Sequence, residues 1–365
     1  MIPKHLIFLL FTVTICYAQN PTELKKHTID VNQFNGSIIL HNPDISHLIT
    51  SHPAGVILSY NRKTYGSKAW EELYNYPDVG YSFIYQNTNN STLGDSYGLY
   101  AHYNFYLFKR NVQFRIGQGI AYATNPYDKE TNFRNNAYGS DLLSSTYLMF
   151  NYHKENVIKG LGFKTGLSVV HYSNANFRAP NTSTNTLAFN AGIVYDLDGG
   201  KKLEYVHREK RKVIEPLRYN FALRTGLNES DVIDSGKYGF LVFSAYADKR
   251  LGQKSAIQLG SDVYFSNFLK ELIRYQSIAF PENNVAASDD YKRVGVFVGH
   301  ELFINSMSVI TQLGYYVYYP FDFEGRMYNR VGLKRYFGDK IYGAITLKSH
   351  GAKAEAVEFG IGIRL

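Results

Sequence analysis

The chain has 365 residues, a formal net charge of +8, 32 tyrosines and 24 phenylalanines, but only one cysteine. The slightly negative mean hydropathy of −0.27 argues against an α-helical membrane protein, and the aromatic content argues against disorder. The single cysteine excludes a disulfide scaffold and a cysteine-based zinc site. Abundant tyrosine, phenylalanine and glycine favour β structure.

The first 18 residues predict a secretory signal peptide. Lys4 precedes an apolar run over residues 6–16, and the small residues Cys16 and Ala18 stand where a signal peptidase requires them. We expect cleavage after Ala18. Lipidation at Cys16 is the less favoured alternative, because Ile15 is too large for the position before a lipidated cysteine. No later stretch is apolar for long enough to form a transmembrane helix, so soluble secretion and a transmembrane β-barrel remain.

The rest of the chain favours the barrel. From residue 53 onwards, segments with alternating apolar and polar side chains are separated by turns rich in Gly, Asn, Asp and Lys. The last strand is the clearest, because Phe359, Ile361 and Ile363 alternate with Glu358 and glycines up to the final residue. The predicted strands are 53–62, 80–87, 95–108, 111–124, 141–154, 157–173, 184–196, 216–226, 236–249, 254–266, 291–304, 306–319, 326–336, 339–349 and the C-terminal strand.

The predicted fold class is therefore all-β, a transmembrane antiparallel β-barrel of the outer-membrane type. Single-chain bacterial barrels use even strand numbers, so we expect about 12–14 strands, with the remaining segments serving as plug or loops. Residues 19–52 are expected to form an N-terminal periplasmic extension and residues 53–365 the barrel. A soluble all-β domain is the alternative.

The expected orientation places residues 174–183 outside the cell. Short turns and the C-terminus of such barrels lie on the periplasmic side, and longer loops lie outside. A tight turn predicted at Glu155 and Asn156 is then periplasmic, so strand 157–173 runs outwards and strand 184–196 returns.

Three polar side chains are expected together at the outer rim. His171 and Ser173 continue the apolar, lipid-facing side of strand 157–173, and Asn185 lies on the apolar side of the returning strand. A hydroxyl beside an imidazole is the minimum for nucleophilic acyl transfer, and its position on the outer face of the barrel indicates a lipid substrate. A His and a Ser two residues apart are a weak signal alone, and a polar cap at the membrane interface is the competing interpretation.

The block from His171 to Ala175, followed by Pro180 and Asn181, resembles the PagL family of lipid A 3-O-deacylases. The resemblance extends over roughly residues 80–196. Other motifs are similar to longer bacteroidete relatives, often called acyloxyacyl hydrolases: residues 76–80 (YPDVG), 116–122 (IGQGIAY), 348–350 (KSH), 354–355 (AE) and 360–363 (GIGI). The resemblance implies an outer-membrane barrel that hydrolyses an ester of lipopolysaccharide, with Ser173 as nucleophile and His171 as general base. It also implies that Asn174 or Asn181 holds the oxyanion.

The sequence departs from that family at the third catalytic position. The family has a glutamate on the strand after the loop, whereas the matching residue here is Asn185. An asparagine can orient the imidazole but cannot stabilise imidazolium as a carboxylate does. Asp141 is a less favoured substitute, because the expected register places it opposite Val170 with its side chain towards the lumen.

The sequence thus predicts an outer-membrane lipid A deacylase of a Gram-negative bacterium, acting as a serine esterase on lipopolysaccharide. It needs no cofactor, no metal and no nucleic acid. The alternative is a non-catalytic barrel, either a small pore or a structural protein with a degenerate site. A basic run over residues 201–212 is interpreted as a solvated periplasmic hairpin rather than a nucleic-acid site.

Overall fold

In the part of the chain that the structure describes, sixteen antiparallel strands form two closed barrels, one from each half of the chain. The computed structural model describes residues 26–208, 213–230 and 232–365. The predicted signal peptide, residues 1–18, and part of the basic run lie outside these described residues.

Each barrel has eight strands and is closed by pairing its first strand with its last. The first barrel consists of β1 (His27–Ile38), β2 (Ala54–Arg62), β3 (Asp78–Asn87), β4 (Asp95–Leu107), β5 (Val112–Ala123), β6 (Leu142–Ile158), β7 (Leu161–Ser173) and β8 (Thr184–Asp196). The second consists of β9 (Arg218–Asn228), β10 (Tyr238–Arg250), β11 (Ser255–Ser266), β12 (Arg293–Ile304), β13 (Met307–Tyr318), β14 (Met327–Phe337), β15 (Ile341–His350) and β16 (Lys353–Arg364).

Two helices lie in the connections between strands. Helix α1 (Ala69–Leu73) joins β2 to β3, and α2 (Asn267–Ala279) joins β11 to β12. Short 3₁₀ segments occur at Pro43–Leu48 and Pro281–Asn283. Among the described residues, no helix has the length and apolar character required to cross a membrane.

The predicted all-β antiparallel barrel is confirmed, but the expectation of one barrel with 12–14 strands is wrong. The fifteen predicted strands correspond to β2–β16, and none of them is a plug. The missing strand is β1, in the segment expected to be a periplasmic extension over residues 19–52. Residues 27–38 instead pair with β2 on one side and β8 on the other. The number of predicted strands is odd because β1 was not among them. Without β1 the first barrel would have an open edge.

Alternation along the strands separates an apolar outer surface from a polar interior. On β16, Phe359, Ile361 and Ile363 are exposed and Glu358 is buried. On β7, Phe163 and Leu167 are exposed, whereas Lys164 and Ser168 are buried. The outward direction predicted for Leu161, Phe163 and Leu167 on β7 is therefore confirmed, whereas Ser173 at the end of the strand is buried.

Paired charged side chains lie in both interiors. In the first barrel, Arg115 and Lys164 each lie 2.8 Å from the Asp30 carboxylate. In the second, Arg330 contacts Asp262 at 2.8 Å and Glu358 at 2.5 Å. An eight-stranded barrel is only wide enough to be filled by side chains, and these side chains are paired rather than lining a water-filled channel. This arrangement argues against the small-pore alternative.

Most of the longer loops lie at one end of each barrel, which we call the long-loop end. The connection over residues 63–77, which contains α1, is the exception in the first barrel and lies at the opposite end. In the first barrel the long-loop end carries residues 39–53, 88–94, 124–141 and 174–183, and in the second it carries residues 229–237, 267–292, 319–326 and 351–352. Beneath the first of these ends, an apolar cluster fills the interior and includes Phe34, Ile84, Tyr147, Val170 and Tyr172. Val170 and Tyr172 are the inward neighbours of His171, so packing fixes the end of β7 that carries the predicted site.

The turn between β6 and β7 lies at Lys159 and Gly160 rather than at Glu155 and Asn156. Lys159 and Gly160 both have positive φ, 44° and 88°, which is the geometry of a two-residue hairpin turn. β6 therefore continues to Ile158, with an irregularity between Lys154 and Ile158.

The displaced turn changes the register of the site. His171 pairs with Thr146, and Val170 pairs with Tyr147 rather than with Asp141. Asp141 precedes β6 and is exposed, and its carboxylate accepts a hydrogen bond from the N–H of Leu142. The suggested role of Asp141 opposite Val170 therefore rested on a wrong register.

Replacing Gly160 with alanine tests this turn. A Cβ at φ +88° is strained, so we expect Gly160→Ala to lower the free energy of unfolding by about 1–2 kcal/mol. The measurement is urea unfolding of the refolded protein in detergent micelles. Gly252→Ala is the matched control, because Gly252 lies in another turn with no atom within 4 Å of an added Cβ. Equal stability of the two variants would contradict the turn at Lys159 and Gly160.

The two barrels contact each other at both ends. At the end opposite the long loops, the Tyr74 hydroxyl donates a 2.7 Å hydrogen bond to the carbonyl of Phe303, and Lys254 Nζ lies 4.7 Å from the Tyr74 ring centroid. At the long-loop end, Lys129 lies 4.0 Å from Asp234, and Lys237 Nζ lies 3.9 Å from the ring centroid of Phe177. The loops of the second barrel therefore reach the loop that follows β7.

Candidate active site

The candidate site lies where β7 ends, the loop over residues 174–183 begins and β8 returns. His171 and Asn185 are direct partners in the pairing of β7 with β8. Both side chains are half-buried and lie on the outward face, beyond the exposed Leu167 and Leu187. The structure thus brings together the imidazole and the amide that the sequence placed at this rim.

Asn185 fixes the orientation of the His171 ring. His171 Nδ1 lies 2.8 Å from Asn185 Oδ1. Because an amide oxygen only accepts hydrogen bonds, this contact requires a proton on Nδ1 and leaves Nε2 as the basic nitrogen. That tautomer is the one a general base at Nε2 needs.

Ser173 is covered by the loop that follows it. Its side chain is only 6% exposed, and Oγ donates a 3.0 Å hydrogen bond to Asn181 Oδ1. The backbone N–H of Ala175 donates to the same Oγ at 2.9 Å. The hydroxyl is therefore bound within its loop and not to His171, and reaction requires it to turn towards the imidazole.

The two asparagines suggested for the oxyanion hold the loop in different ways. Asn181 Oδ1 accepts from Ser173 and from the N–H of Asn174, the latter at 2.9 Å. The Asn174 side chain donates through Nδ2 to the carbonyl of Arg178 at 2.6 Å, and its Oδ1 is buried without a hydrogen-bond partner. The Asn174 side-chain amide thus shapes the loop, whereas Asn181 lies directly against the hydroxyl.

Two residues that the sequence reasoning missed also hold this loop. His41 Nε2, from the loop between β1 and β2, lies 3.1 Å from the carbonyl of Thr182 and 3.2 Å from Ser183 Oγ. Glu229, from the second barrel, accepts a 2.9 Å hydrogen bond from the N–H of Ala179 through Oε2. Neither residue belongs to a local motif. The first barrel's closure brings His41 to the loop, and the contact between the two barrels brings Glu229 to it.

The motif residues Lys348 and His350 of the C-terminal half both contact Glu355 inside the second barrel. His350 Nε2 lies 2.7 Å from Glu355 Oε2, and Arg293 donates to Oε1 of the same carboxylate at 2.6 Å. Lys348 Nζ also donates a hydrogen bond to Glu355 Oε2. Within the described part of the chain, no group of three or more His, Cys, Asp or Glu side chains is arranged to hold a metal ion.

Two family models match the chain, one over β2–β8 of the first barrel and the other over the second barrel. The model described as lipid A 3-O-deacylase (PagL) matches residues 54–194, and the model described as acyloxyacyl hydrolase, C-terminal domain, matches residues 217–365. The chain belongs to the PagL family. Membership of the PagL family indicates ester hydrolysis on lipid A in the outer membrane of a Gram-negative bacterium.

Comparisons with individual proteins add little to this assignment. No curated protein matches the chain. Among solved structures, a mutant porin of Rh. blastica is 9% identical, with 93% of this chain and 99% of the porin covered and a TM-score of 0.19. OccAB3 of Acinetobacter baumannii is 11% identical, with 93% and 98% covered and a TM-score of 0.22. With scores this low, the fold rests on the observed strand pairing and not on these similarities.

Proposed function

We propose that this PagL-family chain is a serine esterase that removes an ester-linked 3-hydroxyacyl chain from lipid A. Ser173 is the nucleophile, His171 the general base and Asn185 the residue that orients His171. The observation that carries the proposal is the 2.8 Å contact between His171 Nδ1 and Asn185 Oδ1 on the outward face of the strand that ends at Ser173.

The reaction begins when Ser173 Oγ leaves Asn181 and turns to His171 Nε2. Oγ bonds to the ester carbonyl carbon while Nε2 takes the hydroxyl proton, which gives a tetrahedral oxyanion. When the Asn181 side chain rotates, its Oδ1 releases both the Ser173 hydroxyl and the N–H of Asn174. Asn181 Nδ2 and the N–H of Asn174 are then the two donors that support the oxyanion. The imidazolium then donates its proton to the departing sugar oxygen.

Water completes the cycle. Deprotonated by His171 Nε2, it attacks the acyl group on Ser173, and the 3-hydroxy fatty acid leaves with the serine hydroxyl restored. No step in this sequence requires a metal or an organic cofactor. The outward position of His171 and Asn185, beyond exposed leucines, supports an acyl chain that approaches from the lipid side of the barrel.

The test is the mass profile of lipid A from a Gram-negative host that expresses the full chain. We expect a new species lighter by one 3-hydroxyacyl residue, together with the free fatty acid. Heat-modifiable migration of the protein from the outer-membrane fraction serves as the control for assembly. An unchanged lipid A profile with fully assembled protein would favour the alternative of a non-catalytic structural barrel.

A further inference from the structure

We propose that Glu229 of the second barrel is a positioning residue that anchors the loop carrying Ser173. The inference deepens the proposed function and rests on it, because it assigns the second barrel a role in presenting the nucleophile. The loop over residues 174–183 belongs to the first barrel, and Glu229 follows β9 in the second.

Three hydrogen bonds join the Glu229 residue to this loop. The N–H of Ala179 donates to the Glu229 carboxylate at 2.9 Å. The side chain of Asn176 donates to the Glu229 carbonyl at 3.0 Å, and the N–H of Glu229 donates to the Asn176 carbonyl at 3.2 Å. The other carboxylate oxygen accepts the N–H of Gly236 at 3.2 Å, which ties Glu229 to its own loop.

Glu229 is buried, so losing its hydrogen bonds would destabilise the loop. Glu229 is only 4% exposed, so water does not readily replace these partners. A carboxylate is the group that satisfies two backbone N–H donors at once, because both of its oxygens only accept. Glutamine at this position would turn an NH₂ group towards one of the two donors.

The loop residues that Glu229 contacts lie close in sequence to the loop residues that hydrogen-bond to the Ser173 hydroxyl. Ala175, whose N–H binds Ser173 Oγ, immediately precedes Asn176, and both have positive φ, 53° and 63°. Ala179 lies two residues before Asn181, which accepts the hydrogen bond from Ser173. Fixing residues 176 and 179 therefore fixes the two groups that determine where Ser173 Oγ lies.

The experiment compares Glu229→Gln with Asp234→Asn in the full chain. Asp234 lies in the same loop of the second barrel and faces Lys129 of the first, but no hydrogen bond joins it to the described residues 174–183. We expect Glu229→Gln to lower kcat about 10-fold with KM changed less than about 2-fold, because a displaced nucleophile affects the reacting geometry more than lipid binding. Asp234→Asn should retain the wild-type values.

The pH profile separates positioning from electrostatics. If Glu229 only positions the loop, kcat/KM of Glu229→Gln reaches half its maximum at the same pH as the wild type. A shifted profile would overturn the proposal, because Glu229 would then act on the charge of His171.

A second readout does not depend on activity. Arg178 is exposed at the tip of the anchored loop, so trypsin cleavage after Arg178 reports how firmly the loop is held. We expect cleavage to be several-fold faster in Glu229→Gln than in the wild type or Asp234→Asn. Unchanged cleavage and unchanged kcat would overturn the anchor. Full activity of Ser173→Ala in the same assay would contradict the proposed function. The trypsin cleavage rates would still show whether Glu229 holds the loop in place.

Asn176→Gly provides the test if Glu229→Gln does not assemble. Glycine accepts the φ of +63° at this position while removing the side-chain hydrogen bond to Glu229. We expect Asn176→Gly to lower kcat and to accelerate cleavage after Arg178 in the same direction as Glu229→Gln. Wild-type behaviour of this variant in both assays would overturn the proposal.

Discussion

Ser173→Ala and His171→Ala should each lower the rate of fatty-acid release by about 10⁴-fold or more. Alanine at position 173 removes the atom that forms the acyl-enzyme, and alanine at position 171 removes the base that takes its proton. Nucleophile and base act as a unit, so the double variant should be no slower than either single variant. The measurement is the initial rate of fatty-acid release from purified lipopolysaccharide in detergent.

Assembly should survive these changes. Both residues lie at the end of β7, and their loss should cost on the order of 1 kcal/mol of stability. Ser168→Ala is the matched control, because Ser168 lies on the same strand but is buried on its inward face. It should retain both heat-modifiable migration and activity. Undiminished release by Ser173→Ala would remove Ser173 as the nucleophile.

Asn185→Glu should raise the rate by roughly 10- to 100-fold. Asn185 already contacts His171 Nδ1 at 2.8 Å, so a carboxylate there would stabilise the imidazolium that forms during attack. The rim is partly shielded from water, where such an interaction is stronger than in bulk solvent. The gain is smaller than the loss caused by removing a triad carboxylate, because asparagine already selects the reactive tautomer.

Two further variants at position 185 test whether the charge of the glutamate causes the rate increase. Asn185→Gln has the length of glutamate without its charge, so it should not reproduce the gain. Asn185→Ala removes the partner of Nδ1 and should lower the rate by losing control of the tautomer. Initial rates are compared over a pH range that spans the titration of histidine. If none of the three substitutions alters the rate, Asn185 does not occupy the family's acidic position.

Local alternation was sufficient to find most strands but not to count the barrels. β2–β16 were recognised because apolar outer residues alternate with polar or small inner ones. β1 was missed because its pattern weakens halfway, where Gln33 and Asn35 face outwards and Phe34 faces the interior. The division into two barrels depends on the pairings β1 with β8 and β9 with β16, which join residues far apart in the sequence.

The site was predictable where it depends on one strand face or on a motif. The common face of His171 and Asn185 follows from alternation, and the half-buried outward positions of both side chains agree with it, whereas Ser173 is buried under the loop that follows it. The partner of Ser173 in this structure is Asn181, across a loop whose path the sequence does not specify. Glu229 carries no sequence signal, because its role arises only when two barrels lie side by side.

Because each barrel has an even number of strands, its first strand begins and its last strand ends at the same end of the barrel. Each barrel begins and ends at the end opposite its long loops, so β8 ends at Asp196 and β9 begins at Arg218 at that same end of their barrels. The pairing of β1 with β8 leaves the first barrel no unpaired edge, whether or not the second has formed. A second barrel can therefore be added to, or lost from, such a chain without changing the strand pairing of the first.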